Sequence, residues 1–261
     1  MVLVDRNGHQ DARNLGITGG ADGPRFSPDG RTLLFRRGPG PHIWTLDLGR
    51  GVARREAVGE GTEFWSAWSP DGAWIVFESV DSGDAATANL FRVRPGGGPR
   101  ERLTTERGVW HQPHAWAGGE LVFTRGEDAR TGMDIYAVAV PGGSPHPILA
   151  GPANEMLPAA SRDGRFLAYT SDASGTRQVY VRRYPDGPDV QVSSDGGQDP
   201  LWSPDGRELY FRSVSGRDVY VTSVSAGDRP AVGTPAALFT GPFAGSAPYG
   251  RGWDLSPDGR R

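Results

Sequence analysis

The sequence predicts an all-β fold, a six-bladed β-propeller closed by both termini, with the last blade incomplete. Three observations predict it: a turn motif that occurs six times, a constant interval between the aromatic residues on either side of the turn, and a β-branched strand after each hairpin. Repeats of this kind build one small antiparallel sheet each and stack around a central channel.

A Ser-Pro-Asp-Gly turn, or a degraded copy of it, ends the first strand of every repeat. The residues before the turns are at positions 26, 68, 116, 160, 202 and 255, which are 42, 48, 44, 42 and 53 residues apart. These distances lie within or just beyond the range of propeller blades. Proline sets φ, aspartate accepts a bond from the backbone and glycine supplies positive φ, so the turn residues are predicted to be structural.

A constant interval predicts one hairpin register for the repeats. In the third repeat, Trp116 and Phe123 are seven residues apart, because Gly118-Gly119 replaces the longer turn. A loss of one residue from each arm keeps both aromatic residues on their faces, since strand side chains alternate. The interval is nine residues in the other complete hairpins: Phe26 to Phe35, Trp68 to Phe77, Ala160 to Tyr169 and Trp202 to Phe211.

A third strand, rich in β-branched and aromatic residues, follows each complete hairpin. The five copies are Ile43–Leu46, Leu90–Val93, Ile135–Val138, Val179–Val181 and Val219–Val221. Val2–Arg6 has the same pattern with no hairpin before it, and the hairpin that starts at Trp253 stops at Arg261. The two ends are therefore expected to share one blade. The predicted blades of the single domain 1–261 are residues 19–58, 59–104, 105–150, 151–194, 195–241, and 242–261 with 1–18.

Composition limits the classes of function. All 28 basic residues are arginine and the formal net charge is −3. Without lysine the chain lacks the strand lysine of a protein kinase and the lysine of a phosphate-binding P-loop. The arginines are dispersed among aspartate and glutamate with no basic stripe, so nucleic-acid binding is not expected. No apolar window approaches the roughly 20 residues that a bilayer requires, and Met1–Asp5 does not resemble a secretory signal. The compartment, periplasmic, extracellular or cytoplasmic, stays open.

No catalytic constellation is found in the sequence. The serine hydrolase elbow Gly-x-Ser-x-Gly is absent, and so is cysteine. His111 and His114 are the one metal-like pair, but residues three apart in a strand point to opposite faces and do not converge unless Gln112-Pro113 bends the chain. We therefore expect no enzyme activity, no metal and no cofactor in this chain.

The repeats resemble those of the TolB-type, WD-repeat-like six-bladed propellers over essentially the whole chain. Part of the chain is similar to the propellers that lie C-terminal to bacterial serine/threonine kinases. The segments that carry this second resemblance are Phe166–Asp172, Gln178–Arg182 with Tyr184-Pro185, Gln191–Ser193 with Gly196-Gly197, Pro200–Ser203 with Arg207–Arg212, and Trp253–Arg261. The resemblance implies a kinase-linked propeller, although the kinase itself is missing.

Three functions from different classes follow. The first is a non-catalytic binding module that recognises a protein, a peptide or a cell-wall ligand, as a sensor or scaffold domain of a larger bacterial protein such as a serine/threonine kinase. The second is the accessory propeller of a peptidase or other hydrolase, and the third is a propeller with its own catalytic metal. A kinase or a hydrolase domain in the same gene would separate the first two functions.

A binding surface is expected where loops lead into the inner strands and meet around the channel. Polar and aromatic residues recur there without a folding role that the sequence reveals, a mixture typical of binding surfaces. The predicted site residues are Asp22, Glu63, Trp65, Trp110, His111, Glu155, Asp199, Tyr249 and Arg251.

Overall fold

The chain folds into a ring of antiparallel sheets. The computed structural model describes residues 1–11, 15–17, 20–56, 61–80, 88–127, 132–225, 227, 229–241 and 250–260. In this part of the chain the regular structure is strand, and no helix is long and apolar enough to cross a membrane. The fold is a β-propeller, as predicted.

The first two sheets contain four strands each, ordered from the channel outward as in the chain. The first sheet comprises β1 (Ala21–Phe26), β2 (Thr32–Arg37), β3 (His42–Asp47) and β4 (Val52–Arg55). The second comprises β5 (Thr62–Trp68), β6 (Ile75–Val80), β7 (Ala88–Val93) and β8 (Glu101–Arg102). One parallel pair, Ala88 with Trp110, links β7 to the first strand of the third sheet.

The next three sheets repeat this order. The third comprises β9 (Val109–Ala117), β10 (Glu120–Glu127), β11 (Asp134–Ala139) and β12 (His146–Leu149). The fourth comprises β13 (Glu155–Ala160), β14 (Phe166–Ser171), β15 (Gln178–Arg183) and β16 (Val190–Gln191). In the fifth, β17 (Gln198–Trp202), β18 (Glu208–Arg212) and β19 (Asp218–Ser225) are followed by β20 (Ala231–Val232) and β21 (Ala236–Thr240), which both pair with β19.

The strand pairings confirm the predicted hairpin register. In every sheet, the last inner-strand residue before the turn pairs with a residue of the middle strand. That partner comes two positions before the aromatic residue of the middle strand. The pairs are Phe26 with Leu33, Trp68 with Ile75, Trp116 with Leu121, Ala160 with Leu167 and Trp202 with Leu209. The shorter third hairpin therefore keeps the same pairing as the others.

The turns lie side by side and are built alike, except in the third repeat, where Gly118-Gly119 replaces the motif. In the first, the Ser27 hydroxyl donates to Asp29 at 2.6 Å, and the Asp29 carboxylate accepts the amide of Arg31 at 3.0 Å. Each turn glycine has positive φ, and a Cβ on Gly30 would lie 3.4 Å from Cδ of Pro257 in the last turn. The last turn, Ser256–Gly259, thus stands next to the first turn, although it lies at the other end of the chain.

The hydrophobic core lies between neighbouring sheets. The fourth and fifth sheets, for example, enclose Val181, Trp202 and Phe211 in one cluster. Because each middle strand is covered on both faces, it carries three consecutive buried apolar residues ending in an aromatic one. These triplets are Leu33-Leu34-Phe35, Ile75-Val76-Phe77, Leu121-Val122-Phe123, Leu167-Ala168-Tyr169 and Leu209-Tyr210-Phe211.

The terminal segments lie between the fifth and the first sheet. Arg6 forms an ion pair with Glu208 at 3.1 Å, and Ile17 packs against the apolar cluster of the first sheet. Val2–Arg6 is not the predicted strand, because Val4 forms an isolated bridge with Gln10 instead. In the described part of the chain no strand ladder joins residues 1–11 to residues 250–260. The six-blade count and the blade boundaries stay predictions.

Trp202 tests the packing between blades. Its side chain is 8% exposed, and its indole N–H donates to the carbonyl of Ala159 in the neighbouring sheet at 3.0 Å. We expect Trp202→Ala to lower the free energy of unfolding by about 3–5 kcal/mol, because it leaves a cavity and an unpaired carbonyl. Urea unfolding measures the loss. Trp74→Ala, at a tryptophan that stacks between two arginines, is the control and should cost about 1 kcal/mol.

The turn aspartates test how the protein loses stability at low pH. The serine hydroxyl bond is the largest cause that lowers the pKa of Asp29, Asp71, Asp163 and Asp205 from the ordinary value of 3.8. A carboxyl group whose pKa is lower in the folded protein than in the unfolded chain stabilises the fold at any pH above its unfolded pKa. This stabilisation is lost as the pH falls through the folded-state pKa. Replacing the four residues by asparagine should therefore flatten the loss of stability below pH 3.8, measured by urea midpoints. Parallel curves would contradict this role.

Candidate functional site

The two ends of the channel carry different elements. One end, the turn face, holds the Ser-Pro-Asp-Gly turns, and residues from the last turn, Leu255–Pro257, line its mouth beside those of the five sheets. The other end, the loop face, holds the loops that lead into β1, β5, β9, β13 and β17. The predicted site residues lie near the loop face, at the start of the inner strands.

Each inner strand is interrupted by a bulge near the loop face. The pairing register shifts between Asp22 and Arg25, Glu63 and Ser66, Pro113 and Ala115, Met156 and Ala159, and Gln198 and Leu201. Leu157 and Asp199 have φ values of 55° and 60° at these bulges, a left-handed backbone that is unusual for residues other than glycine. The bulges free backbone groups from the ladder and turn them toward the channel.

Two buried arginines use these freed groups. Arg251 donates to the carbonyls of Leu157 at 2.8 Å and Pro158 at 3.2 Å, and its Nε lies 3.2 Å from Oδ1 of Asp199. Arg25 donates to the carbonyl of Arg251 at 3.4 Å. Since Arg251 reaches past the fifth inner strand to the fourth, these side chains lie across the channel.

A second aspartate completes this group. Asp254 accepts the amide of Phe26 at 2.7 Å, and burial raises the pKa of Asp254 above its ordinary value. Burial also lowers the pKa of Arg25 to about 10, with the nearby Arg251 adding to the effect. We call Arg25, Asp199, Arg251 and Asp254 the channel cluster. Its contacts join the first, fourth and fifth inner strands to the C-terminal segment.

Asp22 and Trp65 meet on the loop face through Arg36. The Arg36 guanidinium donates to both carboxylate oxygens of Asp22, with Nε 2.7 Å from Oδ1, and lies 4.4 Å from the centre of the Trp65 ring. The half-buried Trp65 indole packs so closely on Gly250 that no side chain fits there. We call Asp22, Arg36 and Trp65 the rim patch.

A buried glutamate supports the rim patch from below. Glu78 accepts the backbone amide of Trp65 and lies near Arg36. Burial raises the pKa of Glu78 to about 8, which favours the protonated carboxyl group. In the sequence, the position of Glu78 directly after the apolar triplet Ile75-Val76-Phe77 indicates that this charged residue is buried.

Two predicted residues turn inward instead of lining the rim. The fully buried Glu63 side chain contacts the His42 ring at 2.5 Å, and burial raises its pKa. His111 is also fully buried and contacts Glu106 at 2.8 Å and Thr104 at 3.0 Å, while burial lowers its pKa to about 4. These contacts give both residues a structural role between blades.

The two histidines do not converge, as the strand alternation predicts. His114 contacts Thr124 at 3.0 Å, whereas His111 contacts residues that precede β9. Burial lowers the pKa of His114 well below its ordinary value, so the ring is neutral. No group of three or more histidine, aspartate or glutamate side chains that could hold a metal ion occurs among the described residues.

The remaining predicted residues are at separate places. Trp110 is half-buried and packs closely against Gly126. Glu155 is 8% exposed and accepts a hydrogen bond from the Ser171 hydroxyl at 3.2 Å, while its second oxygen has no hydrogen-bond partner among the described residues. Burial raises the pKa of Glu155 to about 7. Tyr249 lies outside the described residues.

Sequence comparison gives limited information about this chain. No family model matches it. A segment of 101 residues is 34% identical to an uncharacterized protein, Atu1656, of Agrobacterium fabrum strain C58, and covers 38% of this chain and 33% of that protein. The match thus spans about a third of the relative's length.

Structural comparison shows the fold. A protein assigned as TolB from Agrobacterium tumefaciens has a TM-score of 0.74 at 24% identity, covering 93% of this chain and 88% of that one. TolB from Acinetobacter baumannii has a TM-score of 0.65 at 18% identity, covering 84% and 57%. An oligogalacturonate lyase in complex with manganese has a TM-score of 0.60 at 17% identity, covering 90% and 72%. The fold is that of the TolB-like propellers.

Glu78 predicts an unusual dependence of stability on pH. Between the ordinary pKa of 4.5 and the folded value of about 8, the native protein holds a proton that the unfolded chain releases. Stability therefore falls as the pH rises through this range, by about 1.4 kcal/mol for each unit of pKa difference. Glu78→Gln should lose less stability than the wild type between pH 5 and 8 in urea unfolding.

The control for this measurement is Glu101→Gln, because Glu101 lies on the edge strand of the same sheet and pairs with Arg92 in an exposed position. It should keep the slope of the wild type. If Glu78→Gln and the wild type lose stability in parallel, Glu78 does not hold its proton in the native state.

Proposed function

We propose that the chain is a non-catalytic binding module whose protein or peptide partner docks on the loop face at the rim patch. The observation that carries the proposal is the fixed stack of Trp65 on Arg36, with Arg36 held by both oxygens of Asp22. Tryptophan and arginine are the residues most enriched at the energetic centres of protein interfaces.

The rim patch is held in place before any partner binds. Gly250 and Gly23 pack against the Trp65 indole from two neighbouring inner segments, and Glu78 binds its amide. A side chain that is already ordered loses little conformational entropy on binding, so more of its contact energy appears as affinity. Asp22 keeps its side chain about half exposed, at 47%, and can bind a donor of the partner.

The channel cluster supports a role of the propeller in binding rather than in passing a substrate through its channel. Arg251 crosses to the carbonyls of Leu157 and Pro158 and places a buried ion pair with Asp199 at the channel. Opening this path would expose the Asp199–Arg251 pair and break its bonds, which is costly for a buried ion pair. A propeller that gates a hydrolase through its channel is therefore the weaker hypothesis.

The binding module is further proposed to be a sensor or scaffold domain of a larger bacterial protein such as a serine/threonine kinase. The resemblance of Phe166–Asp172 and the related segments to kinase-linked propellers supports this role. A rigid ring with a pre-ordered patch at one face fits this role, because it can present one surface to a partner while the rest of the ring stays unchanged.

A matched pair of tryptophan variants tests the rim patch. Peptides are selected from a displayed random library on the immobilised chain, and their Kd values are measured by calorimetry. Trp65→Ala should weaken binding about 10- to 100-fold, because it removes the anchor of the site. Trp74→Ala is the control, since Trp74 also stacks on arginines but belongs to the turn face. Selected peptides that bind both variants as tightly as the wild type would contradict the proposal.

A further inference from the structure

A cavity of 350 Å³ opens at the centre of the ring on the turn face, within the usual size range of small-molecule sites. Inner strands and turns of the five sheets line it together with the C-terminal segment, and none of its described lining residues comes from a middle or an outer strand. In each sheet the chain after the turn forms the middle strand, which lies further from the channel. The walls of this cavity are therefore described on every side. We call it the channel mouth.

A buried cation lines the channel mouth. Arg25 is 8% exposed, and its Nη1 donates to the carbonyls of Pro24, Arg251 and Trp253 at 2.5, 3.4 and 3.5 Å. Among the described residues, the Arg25 guanidinium forms no ion pair with a carboxylate. Hydrogen bonds between a guanidinium and an anion are stronger than those to neutral carbonyls. An anion that enters the channel mouth thus finds a cation whose partners so far are neutral.

The charges around the channel mouth leave an excess of one positive charge. Arg25, Arg162 and Arg251 line the cavity, whereas one aspartate, Asp254, lines it and a second, Asp199, pairs with Arg251 from behind. The aspartates of the turns are not among the lining residues, and their carboxylates accept bonds within the turns. Three positive and two negative groups suit a monoanion such as a carboxylate better than a dianionic phosphate.

Tryptophans form much of the wall, and one of them lacks a partner. The indole N–H of Trp68 donates to the carbonyl of Arg25 at 3.3 Å, and that of Trp202 donates to Ala159 at 3.0 Å. Trp116 stands at the same position of the third sheet, but its Nε1 has no hydrogen-bond partner among the described residues. An unpaired buried donor is costly, so an acceptor that reaches it is favoured.

The rest of the wall is apolar. The turn prolines Pro28, Pro70, Pro204 and Pro257 line the cavity beside the tryptophan rings. A ligand with a charged end and an apolar body therefore matches the channel mouth, because the two kinds of surface are presented in one cavity.

We propose that the channel mouth binds a carboxylate that carries an apolar group, with the carboxylate on Arg25 and the apolar group between the tryptophans. This chemistry occurs in small aromatic or aliphatic acids and at the C-terminus of a protein that ends in an apolar residue. The site lies at the opposite end of the channel from the rim patch, and the proposal does not depend on the proposed function.

Hydrocinnamate, a phenyl ring on a short carboxylic acid, is the probe. Titrated into the whole chain, it should bind saturably with a Kd of about 5 mM or lower and shift the indole N–H resonance of Trp116. The uncharged amide of the same acid, hydrocinnamamide, should bind at least about tenfold more weakly, because it does not form a charge-assisted pair with Arg25.

Three variants locate the site. Arg25→Gln should weaken the binding of hydrocinnamate at least about tenfold, because it removes the buried cation. Arg162→Gln, at an exposed residue whose replacement leaves the fold intact, should weaken it about two- to threefold. Trp74→Phe is the control and should leave the Kd unchanged, since Trp74 stacks on arginines outside the channel mouth.

A short peptide that ends in Leu-Phe with a free carboxylate distinguishes the two sources of the ligand. Binding at least about tenfold tighter than that of hydrocinnamate assigns the site to the C-terminus of a partner protein, whereas equal or weaker binding assigns it to a small acid.

Two results would overturn the proposal whether or not Arg25→Gln folds. The first is no saturable binding of hydrocinnamate at about 20 mM. The second is equal affinity for hydrocinnamate and hydrocinnamamide, which would show that no cation binds the carboxylate. A folded Arg25→Gln variant with the Kd of the wild type would also overturn it.

Discussion

The structure depends on one constraint, that a blade cannot leave either face of its sheet in water. The middle strands carry unbroken apolar triplets such as Ile75-Val76-Phe77, so both faces need a covering neighbour. A single sheet of this kind would expose most of its apolar surface, and only a closed ring covers every sheet twice. The ring in turn determines where the inner strands meet, and the inner strands carry the candidate site.

Closure brings a second requirement to the centre of the ring. Bulges in the inner strands leave backbone carbonyls without ladder partners, and buried carbonyls need donors. Arg251 supplies donors to Leu157 and Pro158, while Asp199 balances its charge. The channel cluster therefore combines two tasks, because it satisfies the bulges and connects the C-terminal segment to distant blades.

The local hairpins could be predicted from the sequence, since the turn residues and the nine-residue interval determine their register without reference to the rest of the chain. The outer strands β8, β16 and β20 could not, because they are only two residues long and largely exposed, so they lack an apolar pattern. The bulges were also missed, since no residue type marks all five of them.

For the candidate site, the sequence located the loop face but not the burial of its residues. Glu63 and His111 look like exposed polar residues, yet Glu63 is buried against His42 of the neighbouring sheet and His111 is buried against Glu106 of the loop before β9. Arg36 was missed because its partners Asp22 and Trp65 come from two different blades. The Asp22 contact follows from the hairpin pairing of Asp22 with Arg36, but the Trp65 contact arises only when the sheets are placed around the ring.

The contiguous turns also limit how the gene can vary. Gly72 packs near Pro28, Gly30 near Pro257 and Gly259 near Pro204, so the turns touch their neighbours. A longer turn would push against the next one, and the ring would have to widen. The separations between repeats nevertheless range from 42 to 53 residues. The extra residues of the longer repeats lie outside the turns, so the turn face keeps a similar outline from blade to blade while the lengths of the loops and outer strands vary.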